Sequence, residues 1–71
     1  MNTTPIAATA DMIAAVRKVN AAERLSAMRV AERVFFECMK SPNFIEEFGS
    51  EPARHDAAGQ AAAAEVAYRF A

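Results

Sequence analysis

The stretch AAERLSAMRVAERVFFECMK, residues 21–40, decides the fold class. It contains no glycine or proline, and at about 100° per residue Leu25, Ala27, Met28, Ala31, Val34, Phe35, Phe36, Cys38 and Met39 occupy more than half of a helix circumference. The charged face, Glu23, Ser26, Arg29, Arg33, Glu37 and Lys40, is correspondingly narrow. Arg33 and Glu37 have the i,i+4 spacing of an ion pair, and Glu37 and Lys40 the i,i+3 spacing. An apolar arc wider than the usual stripe of about 100° implies burial on two sides.

Helix signals continue on either side. Thr3-Thr4-Pro5 offers a capping hydroxyl and a first-turn proline, so a helix is expected over residues 5–19 with Ile6, Thr9, Met12, Ile13, Val16, Val19 and Asn20 in one sector. Asn20-Ala21-Ala22-Glu23 has capping-box spacing, which allows a break; every residue there also tolerates helix, which allows one rod to Lys40. Ser41-Pro42 ends the second segment and starts a short helix over residues 42–48, with Phe44, Ile45 and Phe48 on its apolar edge, Glu46 and Glu47 towards water, and Gly49 as its terminator. Ser50-Glu51-Pro52 opens a last helix over residues 52–70. Gly59 weakens that helix by about 1 kcal/mol relative to alanine. Its small face, Ala57, Ala61 and Ala64, invites another helix, with Val66, Tyr68 and Phe70 as larger anchors.

The expected architecture is therefore all-α: residues 1–71 form one helical domain, a hairpin or three-to-four-helix unit with a long central helix. Composition agrees. The chain is 54% hydrophobic, with 18 alanines against two glycines and three prolines, and alanine loses no side-chain entropy on entering a helix. At 71 residues a single core buries only about 60% of the unfolded surface, so stability is marginal. One cysteine excludes an intrachain disulfide, and one histidine makes a Cys/His metal site implausible. Association is the remaining way to gain stability, and a homodimer is expected.

Charge narrows the partners. Residues 1–40 carry six basic and four acidic side chains, residues 41–71 two and five, for a net charge of −1. Without a basic stripe or a stacking platform, nucleic acid is not an expected partner, and a dimeric transcription regulator is a minor alternative. No run reaches the roughly 18 uncharged apolar residues of a membrane span, and Asp11 interrupts the first apolar stretch before a signal-peptide core can form. A soluble, cytoplasmic protein is expected, the lone thiol suiting a reducing compartment.

No chemistry-bearing motif stands out. Cys38 lies on the apolar side of its helix, where a thiolate is disfavoured, and reads as a small hydrophobe. His55, in the first turns of the last helix, reads as a solvated imidazole. Glu46 and Glu47 are adjacent and diverge by about 100° rather than converging as an acid/base pair. No enzyme activity, cofactor or metal is expected. Glu32 breaks the pattern by falling inside the apolar sector between Leu25 and Met39, where an acid can fix register by pairing across a helix interface. The expected contact surface is Leu25, Met28, Glu32, Phe35, Phe36, Met39, Phe44 and Phe48, and on this reading Arg29→Ala leaves the oligomeric state untouched. The expected role is a small protein-binding regulator or inhibitor of the kind carried by phages and mobile elements, the alternative being a structural or chaperone subunit of a larger assembly.

Overall fold

Thr9 sets where the first helix begins. In a computed structural model that describes residues 9–71, its backbone is extended (φ −73°, ψ 165°) and its hydroxyl accepts a hydrogen bond from the Met12 amide at 3.3 Å. Helix α1 (Ala10–Arg17) follows. Within the described residues the helix expected over 5–19 is therefore shorter at both ends: Thr9, which caps with its side chain, stands outside it, and it closes at Arg17. The proposed start at Thr3-Thr4-Pro5 lies outside the described residues.

Between the first two long segments the chain breaks. Asn20 is extended (φ −52°, ψ 141°), Ala21–Glu23 form one 3-10 turn, and helix α2 spans Arg24–Lys40. The break follows the capping-box alternative, but no side-chain capping bond forms at Asn20. Arg24 ties the junction instead. Its Nε donates to the Val19 carbonyl at 2.9 Å and a terminal guanidinium nitrogen to the Arg17 carbonyl at 3.0 Å. A cation on the free carbonyls of a helix end is favourable both as a hydrogen-bond donor and against the helix dipole. Arg24→Met keeps the aliphatic stem and removes both bonds; on a largely exposed group that costs about 1 kcal/mol, a fall in Tm of roughly 4–8 °C by circular dichroism. An unchanged Tm would show that the junction is held otherwise.

Ser41 and Pro42 end α2 and begin α3 (Pro42–Phe48), as their local chemistry dictates. Gly49 closes α3 with φ 71° and ψ −71°, and the Ser50 amide donates to the Phe48 carbonyl at 2.7 Å. Gly49 thus terminates the helix as expected, through a γ-turn whose positive φ explains the glycine. Ser50 then caps α4 (Glu51–Arg69), its hydroxyl accepting from the Ala53 amide at 3.3 Å.

Helices make up 86% of the described residues, and no strand occurs among them. The α2–α4 interface is the most extensive, followed by α1–α4, and α3 touches both α2 and α4. The core joins Met12, Val16 and Val19 from the α1 segment, Ala27, Ala31 and Phe35 from α2, and Ala58, Ala62 and Val66 from α4. Gly59 is buried beside the α4 set. The packing line of α4 is therefore Ala58, Gly59, Ala62 and Val66, one residue removed from the expected Ala57, Ala61 and Ala64. Tyr68, expected as an anchor, is 83% exposed, whereas Val66 is fully buried and Phe70 half-buried. Among the described residues the ion pair is Arg69–Glu65, four apart on α4; the expected Arg33–Glu37 and Glu37–Lys40 pairs do not close.

Candidate functional site

The core line of α2 runs through Ala27, Ala31 and Phe35, spaced four apart. Ala27 and Ala31 are fully buried, and alanine at those positions lets α4 come close to the α2 backbone. Four of the core's nine side chains are alanine, and the largest that are fully buried are Met12 and Val66. Several larger apolar groups lie outside: Leu25 is 69% exposed, Phe36 48% and Ile45 45%. A small chain gains most by burying its largest apolar side chains, at about 25 cal/mol per Å². Here small residues are inside and several large ones face outward.

The residues expected to form the contact surface divide accordingly. Phe35 is 2% exposed and belongs to the internal core. Its ring stands edge-on to Phe36 at 5.6 Å between centroids (84°) and to His55 at 4.9 Å (79°). Met28, Met39 and Phe44 are half-buried and pack against the core. Phe48 is half-buried, with its ring 5.0 Å from that of Phe44. Leu25 and Phe36 remain outward, with the half-exposed Glu32 between them on the same side of α2. That side, turned about 120° from the core line, is the candidate surface.

The reactive groups do not converge. Burial pushes the Cys38 thiol above its ordinary pKa, and the neighbouring Glu37 carboxylate pushes it the same way, which disfavours the nucleophilic thiolate. His55 is exposed as expected, but its imidazole also covers the edge of Phe35, a contact between residues twenty apart that no local pattern announces. Glu46 and Glu47 are both exposed, as expected. No group of three potential metal-ligating side chains occurs among the described residues, and none of the described helices is long and apolar enough to cross a membrane.

A groove of about 690 Å³ runs between α1 and the second half of α4, lined by the buried Val19 and Val66 and the half-buried Ala15 and Phe70, with the exposed Asp11, Lys18 and Gln60 on its rim. A small-molecule site ordinarily adds a few convergent polar groups to apolar walls. In this groove the polar groups are exposed on the rim. No family model, curated protein or solved structure matches the chain.

Proposed function

We propose that this chain is a small non-enzymatic protein-binding regulator or inhibitor that acts in the cytoplasm by helical association, through the outward side of α2. The observation that carries the reading is the distribution of apolar side chains on α2: Ala27 and Ala31 take two of the three places on its core line while Leu25 and Phe36 stand outside. Single exposed apolar residues are common on monomers. Two on one side of one helix, with a carboxylate between them, form instead the kind of anchor set that a partner helix covers.

Capture from a lysate of the source cells tests this. Immobilised wild type should retain a protein, which after identification and purification binds the chain at a fixed ratio. Phe36→Asp, which alters an exposed position, should keep native helicity and lose at least about tenfold in affinity. Equal binding by wild type and Phe36→Asp, or no retained protein together with a wild type that never self-associates, would overturn the reading.

A further inference from the structure

Leu25, Arg29, Glu32 and Phe36 follow one another at spacings of four, three and four along α2. This is the repeat of a coiled-coil seam, and at about 100° per residue the four fall within a sector of roughly 60°. Leu25, Arg29 and Phe36 are exposed and Glu32 is half-exposed. Among the described residues neither Arg29 nor Glu32 forms an ion pair. Along the helix the order is apolar, basic, acidic, apolar.

That order complements itself when reversed. We infer that the partner of this face is a second copy of the chain, docked antiparallel about a two-fold axis so that Leu25 meets the second copy's Phe36 and Arg29 meets its Glu32. The inference rests on the protein-binding reading above and specifies its partner. In an antiparallel pair each seam layer joins residues from opposite sides of the seam, so the four positions give four layers: apolar, ionic, ionic, apolar. Both central charges are thereby paired, and the outer layers shield them from water. A parallel pair in register would set Arg29 against Arg29 and Glu32 against Glu32, so the charges select orientation as well as partner. Symmetry requires such self-complementarity: in a two-fold interface the same patch serves both subunits.

The expectation that Arg29→Ala is silent is reversed by this geometry. With the core line on Ala27, Ala31 and Phe35, Arg29 lies beside Leu25 and Phe36, not on a remote charged face. Leu25 to Phe36 spans only about 16 Å of helix, which is short for an interface, so a dissociation constant on the order of 10 μM is expected.

Sedimentation velocity between about 1 μM and about 500 μM, with helicity checked by circular dichroism, reads the prediction directly. Wild type should pass from monomer to dimer. Arg29→Glu and Glu32→Arg should each weaken dimerisation about tenfold or more, and the double exchange, which restores both pairs with reversed polarity, should recover wild-type affinity to within about threefold. Should a single exchange perturb folding, cysteine pairing gives a second reading in a Cys38→Ala background. Leu25→Cys should cross-link to Phe36→Cys in a mixture, and neither to itself.

A wild type monomeric at about 500 μM would overturn the dimer. Dimerisation indifferent to the single exchanges, or not rescued by the double one, would overturn the register. Either failure leaves the broader reading intact if a purified different protein is lost on Phe36→Asp, so the two failures are distinguishable.

Discussion

Phe35→Ala is expected to lower the free energy of unfolding by about 3–5 kcal/mol, enough to leave a large part of the chain unfolded at 25 °C. Phe35 is 2% exposed and is the bulkiest member of a core otherwise made of alanine, valine and methionine. Its ring also supports Phe36 and His55 edge-on, so truncation removes aromatic contacts from two helices as well as leaving a cavity. A chain of 71 residues has little stability in reserve. Urea denaturation followed at 222 nm, a wavelength standard for helix, checks the value; a loss below about 1 kcal/mol would mean that α4 is not packed over this side chain.

Gly59→Ala is expected to destabilise by about 2 kcal/mol, the opposite sign from an ordinary glycine-to-alanine change in a helix. A β-carbon at position 59 would lie 2.7 Å from Thr9 Cγ2 and 2.9 Å from Thr9 Cβ, and closer still to its hydroxyl oxygen. Rotating the Thr9 side chain cannot relieve the contact with Cβ, so the start of α1 must move away from α4. The hydroxyl is also the cap accepting from Met12, so displacement endangers that bond too. Thr9→Gly in the Gly59→Ala background should recover most of the loss, since the three nearest atoms all belong to the threonine side chain and glycine is a tolerable cap. A Gly59→Ala protein more stable than wild type would show that α1 and α4 do not approach this closely.

Gly59 illustrates which features the sequence makes legible. Its cost to α4 follows from intrinsic propensity, but its purpose depends on a residue fifty positions earlier and has no local signature. Helix limits set by local chemistry come through clearly: Ser41-Pro42 and Ser50 with Pro52 stop and start helices where steric and capping rules place them. The position of Thr9 in the apolar sector predicts it inside the first helix, but its hydroxyl caps α1 instead. At residues 20–24 the break is one of two readings the sequence allows, and Arg24, which holds it, has no local signature because its acceptors are backbone carbonyls, that of Arg17 at the end of α1 and that of Val19 just beyond it.

The face of α2 was legible in width but not in orientation. An arc spanning more than half the circumference has no unique centre, and weighting by side-chain size places that centre near Leu25, Met28, Glu32 and Phe36. The packed line instead follows Ala27, Ala31 and Phe35, where α2 packs against α4, whose own buried residues Ala58, Gly59, Ala62 and Val66 are small enough for close approach to its neighbours. The same choice leaves Leu25 and Phe36 outside and brings Arg29 alongside them. Candidate core and candidate surface are thus two sides of one helix, separated by a rotation that only tertiary packing sets.

Adjacent phenylalanines on that helix put the account to its most direct test. Thermal unfolding of Phe35→Asp and Phe36→Asp, followed side by side by circular dichroism at about 1 μM, where wild type is largely monomeric, compares the inward and outward sides at adjacent positions of the chain. Phe35→Asp should show no cooperative transition, because it buries a carboxylate without a partner in an apolar core. Phe36→Asp should keep the full helical signal and melt within about 4 °C of wild type. Equal loss of structure in both variants, or tolerance of both, would contradict the division of α2 into a core side and a binding side.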